Sequence, residues 1–144
     1  MKRIIFLFGL LGILVGAAYA GGGDTIVTKS GLKYVRTKAG DGKHPAPGNK
    51  LSVYYTGTLP DGTVFDTNRD VTNTIFKFTI GQREVIPGWE EGFQLMSKGE
   101  KGILFIPANL GYGSKGVRDD QNKSKYIIPP NSPLIFEVEV VNVK

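Results

Sequence analysis

The 144-residue sequence contains no cysteine and a single histidine, His44. Without cysteine there is no disulfide framework, thiolate metal site, cysteine nucleophile or lipidated lipoprotein cysteine. His44 sits between Lys43 and Pro45 in a Gly/Pro-rich stretch, away from any rigid shell that could hold a base. Nucleophilic catalysis of the Ser-His kind is therefore not expected, and neither is a histidine-built metal site. Charge of one sign is also scarce: 18 Lys and Arg face 13 Asp and Glu, scattered along the chain. That excess is too mild for a nucleic-acid-binding surface. No metal or other cofactor is expected.

Long apolar runs are missing too, with one exception at the start. Lys2 and Arg3 precede an apolar stretch from Ile4 to Val15, and Ala18-Tyr19-Ala20 ends it in a small-x-small pattern. This is the layout of a cleavable secretory signal peptide over 1–20. The stretch is short for a membrane anchor, so membrane contact is expected only before cleavage. Residues 21–29 are small and polar and read as a flexible leader. Residues 30–144 read as one domain with a single core, expected to act as a monomer. The ending Asn142-Val143-Lys144 is not KDEL-like. A bacterial periplasm is therefore expected, with the endoplasmic reticulum lumen or the exterior as alternatives.

What the chain has in abundance is alternation. Leu51, Val53 and Tyr55 alternate with polar neighbours, as do Phe76, Phe78 and Ile80, and Leu134, Phe136, Val138 and Val140. Period two with one apolar face predicts antiparallel strands. Only one segment reads as helix: Trp89, Phe93 and Met96 fall on one stripe behind Pro87, and Ser97-Lys98-Gly99 stops it. The expected fold is α+β, a five- or six-stranded antiparallel sheet curled around one short helix. Residues 114–126 are polar and predict a solvated, mobile surface loop.

Two local motifs carry no weight. Gly111-Tyr112-Gly113-Ser114-Lys115-Gly116 matches G-x-G-x-x-G, but a polar loop follows where a dinucleotide site needs a helix. Asn122-Lys123-Ser124 is a formal glycosylation sequon, expected to be unused in a bacterial envelope.

The aromatic residues Tyr55, Phe65, Phe76, Trp89, Tyr112 and Phe136 lie on separate elements, several beside glycines or turns. Singly, each reads as core. Together with the apolar knot Ile127-Ile128-Pro129-Pro130, they describe a core that opens to solvent through an aromatic bowl. The runs Val53-Tyr54-Tyr55-Thr56-Gly57, Gly62-Thr63-Val64-Phe65-Asp66, Phe76-Lys77-Phe78, Glu84-Val85-Ile86-Pro87-Gly88-Trp89-Glu90-Glu91-Gly92, Tyr112-Gly113 and Ile128-Pro129-Pro130 resemble the FKBP family, in order.

The resemblance covers about Ser30 to Lys144. It implies a peptidyl-prolyl cis/trans isomerase (rotamase) acting on X–Pro bonds of exported or folding polypeptides. It implies Trp89 as pocket floor, with Tyr55, Phe65, Val85, Ile86, Ile128 and Phe136 as walls and Phe76 at the rim. Asp66 and Tyr112 would be the catalytic polar pair at the bound amide, joined by the backbone N–H of Ile86. Proline-containing polypeptides are the implied partners, and macrolide inhibitors would enter the same pocket. A non-enzymatic chaperone or partner-binding module is the alternative. The chain departs from the family between Gly113 and Ile128, where the segment is longer than the short version and carries no histidine near the pocket. Rim contacts are the part this departure touches.

Overall fold

The computed structural model describes residues 24–144. The expected signal peptide over 1–20 and the start of the expected leader lie outside the described residues. The elements run β1 (Thr25–Val27), β2 (Lys33–Lys38), β3 (Lys50–Thr58), β4 (Val64–Thr67), β5 (Phe76–Thr79), α1 (Pro87–Gly92), β6 (Lys101–Ile106), β7 (Val117–Arg118), β8 (Tyr126–Ile128) and β9 (Leu134–Val143). Seven of the strands form one antiparallel sheet in the order β1-β2-β6-β9-β3-β4, with β5 also pairing to β3. The α+β expectation of an antiparallel sheet with one short helix is met. The count exceeds five or six because β1, three residues long, is too short to show a period in the sequence.

β3 and β9 are the long central strands, and their alternation is what buries the core. Leu51 and Val53 on β3, and Leu134, Phe136, Val138 and Val140 on β9, all turn inward. The inner face meets α1. Pro87 occupies the first turn of α1, where a missing N–H costs nothing. Gly88 and Gly92 bring α1 against β6: a Cβ at Gly88 would lie 2.5 Å from an Ile106 side-chain carbon, and one at Gly92 2.6 Å from Leu104. A 3₁₀ turn, Phe93–Leu95, continues α1 and buries Phe93, with Met96 buried just beyond.

The far side of β3 is split. β5 pairs with Lys50–Val53 and β4 with Thr56–Thr58. Asn68 bridges the gap with its side chain. Its Oδ1 accepts the Tyr55 N–H at 2.7 Å, and its Nδ2 donates to the Val53 carbonyl at 3.0 Å and the Thr74 carbonyl at 2.9 Å. The side-chain amide replaces a stretch of ladder that the backbone does not supply.

Two expectations are corrected. Thr25–Val27, inside the expected leader, is a strand paired with β2, and Asp24 holds Arg36 at 2.8 Å. Ile26 packs against the core, an anchor too small to show in a polar segment. The expected loop over 114–126 contains β7 and leads into β8, and the two pair as a separate hairpin. Its order comes from local polar contacts and from Val117, which packs on the core. His44 is exposed, as expected of a surface residue, and its Nδ1 lies 3.2 Å from the Met96 carbonyl oxygen.

Candidate functional site

A cavity of about 200 Å³ opens where β4, β5 and the entry to α1 meet the inner face of β3 and β9. Trp89 forms its floor and is 4% exposed. Its ring is met by Tyr55 at 5.0 Å, Phe93 at 5.1 Å and Phe136 at 5.2 Å, all edge-on. Such pairs contribute about 0.5–1.5 kcal/mol each beyond their buried area. The indole Nε1–H is buried with no acceptor among the described residues, so the floor rests on ring packing rather than on a hydrogen bond.

The walls come from separate elements. Phe65 on β4 and Phe136 on β9 meet at 5.4 Å and 90°. Gly57 on β3 makes that contact possible: a Cβ there would lie 2.6 Å from both rings. Phe76 on β5 stands at the rim, 6.0 Å from Tyr55 and from Trp89. Val85 and Ile86 line the side next to α1. The turn that presents them is held by carboxylates. Glu84 accepts the Thr79 N–H at 2.9 Å, and Glu90 accepts the N–H groups of Gly81 at 2.7 Å and Arg83 at 3.0 Å. The last contact helps hold Arg83 at φ 56°, a left-handed backbone few side chains adopt.

The polar atoms gather at the mouth. Tyr55 donates its hydroxyl hydrogen to Asp66 Oδ2 at 2.8 Å. Burial pushes the Tyr55 phenol well above its ordinary range, and the Asp66 carboxylate adds to the shift. Tyr112 is raised by the same two causes in the same order. Both phenols therefore stay protonated at neutral pH. The Tyr112 hydroxyl has no protein partner among the described residues, and neither does the Ile86 N–H. The mouth thus offers two free donors and one carboxylate above an apolar floor. Among the described residues no serine, cysteine, histidine or lysine lines the cavity. A larger depression of about 460 Å³ lies on the outer face of the sheet, at Arg69, Lys101 and Glu137. Arg69 and Lys101 both pair with Glu139 there, and no aromatic wall is present.

The structure gathers every expected site residue around this cavity except Ile128. Asp66, Tyr112, Tyr55, Phe65, Phe76, Val85, Ile86, Trp89 and Phe136 all line it. Ile128 is 3% exposed and belongs to the core instead. Its pairing with Val117 in the hairpin turns it inward, away from the wall expected of it. Glu84 lines the cavity and was missed, although it directly precedes Val85 and Ile86.

A family model described as FKBP-type peptidyl-prolyl cis-trans isomerase matches residues 41–141. The chain is 45% identical over 115 residues to the peptidyl-prolyl cis-trans isomerase Fkbp12 of Drosophila melanogaster, covering 79% of this chain and 99% of that one. It is 39% identical to FK506-binding protein 2 of Dictyostelium discoideum, covering 99% of each. Among solved structures it is similar to FkpA from Escherichia coli, with a TM-score of 0.72, 35% identity, and coverage of 94% of this chain and 59% of that one.

Proposed function

Because the chain belongs to the FKBP-type peptidyl-prolyl cis-trans isomerase family, we propose that the aromatic cavity at Trp89 is where it turns X–Pro bonds. The observation that carries this reading is the pairing of an apolar ring-lined floor with a small polar mouth. Amide resonance makes rotation face a barrier of about 20 kcal/mol, and an X–Pro bond takes about 10–100 s to turn unaided. Twisting the bond breaks resonance and reduces charge separation across the amide. A desolvated apolar floor therefore disfavours the planar ground state relative to the twisted one. Tyr112 and the Ile86 N–H donate to the bound carbonyl region, and Asp66, held by Tyr55, orients the mouth. No proton is transferred. The substrates are proline-containing polypeptides, and a macrolide of the FK506 kind would occupy the same floor.

Site and core should separate by mutation. Tyr112→Phe and Asp66→Leu are expected to lower kcat/KM while stability stays within about 1 kcal/mol, because both side chains lie at an open mouth. Val138→Ala should cost about 1–3 kcal/mol at a position 4% exposed, with kcat/KM retained until the domain melts. A coupled proline-peptide assay and thermal melts read both. The pH profile of kcat/KM should stay nearly flat between about pH 5 and 8, where a histidine would titrate. A steep bell, or complete loss of turnover in folded Asp66→Leu, would mean acid–base chemistry that this mechanism lacks.

The setting we propose is export, to a bacterial periplasm, after cleavage following Ala20. The support is the basic start, apolar run and Ala18-Tyr19-Ala20 ending. Intact-mass measurement on protein from the native cell envelope should show a chain starting at Gly21. A mass retaining Met1 would make the enzyme membrane-tethered.

A further inference from the structure

The hairpin β7–β8 stands beside the cavity and carries charge that the isomerase mechanism does not use. It is rooted at the mouth: the Gly116 N–H donates to the Tyr112 carbonyl at 3.2 Å, and the Asn131 N–H to the Gly113 carbonyl at 2.8 Å. Its first rung pairs Val117 with Ile128 and its second pairs Arg118 with Tyr126. A chain reaches at most about 3.3–3.6 Å per residue, so the Arg118 backbone lies within about 7 Å of Gly116.

Over 114–126, four basic side chains, Lys115, Arg118, Lys123 and Lys125, face Asp119 and Asp120. Both acids are occupied. Asp120 pairs with Lys123 at 2.5 Å, and Asp119 Oδ1 accepts the N–H groups of Gln121 and Asn122. Lys115, Arg118 and Lys125 meet no carboxylate among the described residues, and all three are exposed. Arg118 is also held in place. Its guanidinium lies 4.4 Å from the centre of the Tyr126 ring, and its Nη1 donates to the Lys123 carbonyl at 2.7 Å. A guanidinium already ordered loses less freedom on binding. The cavity mouth, by contrast, carries Asp66 and Glu84. The local charge therefore changes sign between the mouth and the hairpin.

We infer that the hairpin reads client charge: it favours polypeptides with an Asp or Glu a few residues from the proline, on the flank that leaves the cavity past Tyr112. This rests on the isomerase mechanism proposed above. An extended peptide spans about 3.3 Å per residue, which brings its second to fourth residue from the proline over the hairpin. Two cations at about 7 Å in water favour an acidic over a neutral residue by about three- to tenfold at low salt. The preference is positional, because an acid placed at the mouth itself meets Asp66 and Glu84.

Exchange NMR tests this by measuring kcat/KM of the full chain on proline peptides carrying Glu, Gln or Lys at successive positions on either side. The expected Glu-to-Lys ratio exceeds about threefold on one flank only at 10 mM salt and falls toward one at 300 mM. In Arg118→Glu and Lys125→Glu it should be abolished or inverted. Lys125→Glu reads the charge alone if loss of the Arg118–Tyr126 contact disturbs the hairpin. A ratio near one in the parent protein, or one unmoved in both variants, overturns the inference while leaving the isomerase intact. Failure to turn over even the Gln peptides would sink the isomerase mechanism, and the charge preference with it.

Discussion

Glu100→Ala is expected to remove about 3–5 kcal/mol of stability, the cost of leaving several buried donors without an acceptor. Glu100 is 1% exposed and sits at the start of β6 with four donors around it. The Tyr34 hydroxyl reaches it at 2.5 Å, Arg36 Nε at 2.9 Å, the Ser97 N–H at 2.9 Å and the Ser97 hydroxyl at 2.8 Å. Truncation leaves the Tyr34 hydroxyl and both Ser97 donors without this acceptor, and Tyr34 is fully buried, while Arg36 keeps Asp24 and contact with water. The thermal midpoint should fall by about 10 °C or more. A loss below about 1 kcal/mol would mean that water replaces the carboxylate.

The same group sets an acid limit. Burial alone would raise the Glu100 pKa, but the hydrogen bonds from Tyr34, Arg36 and Ser97 outweigh it and hold the carboxyl below its ordinary value. The folded value is thus lower than the unfolded one, near about 4.3. The contribution is complete above the unfolded value and is lost as pH falls through the folded one. Stability of the parent protein and of Glu100→Ala should therefore converge in acid, as denaturant titrations from pH 7 to pH 2 would show.

Trp89→Ala should strike stability and activity together. It removes the ring on which Tyr55, Phe93 and Phe136 rest edge-on, and large-to-small changes of this kind cost about 3–5 kcal/mol. The floor of the cavity goes with it, so kcat/KM should fall at least about tenfold even well below the melting temperature. Trp89→Phe keeps an apolar floor and should recover most of the stability. Full activity in a folded Trp89→Ala protein would place the chemistry elsewhere.

The sequence revealed most where burial leaves a period. Leu134, Phe136, Val138 and Val140 declared β9, and the Trp89, Phe93 and Met96 stripe declared α1 and the turn beyond it. The cavity was legible because its rings sit in short runs that resemble those of one family. What stayed hidden has no period. β1 is three residues long, and its order comes from an ion pair and from Ile26. Between Val117 and Tyr126 the hairpin is polar, with residues whose partners are one another, which in sequence looks like solvated loop. Ile128 was misplaced because an apolar residue beside a pocket and one beneath it look alike in sequence. The Asn68 bridge across the split edge of β3 also depends on a neighbour that only the fold supplies.

The strand order has a consequence for how the molecule is made. β9 lies between β6 and β3, and it joins residues as remote as Thr58 and Ile135, 77 positions apart. Until β9 has left the ribosome, β3 and β6 have no common partner and the sheet is two unconnected edges. Closure of the sheet therefore waits for β9 and is governed by non-local contacts, in the millisecond-to-second range expected of such topologies. A nascent chain of this protein therefore holds β3 and β6 as separate, open edges, exposed to chaperones, until β9 emerges.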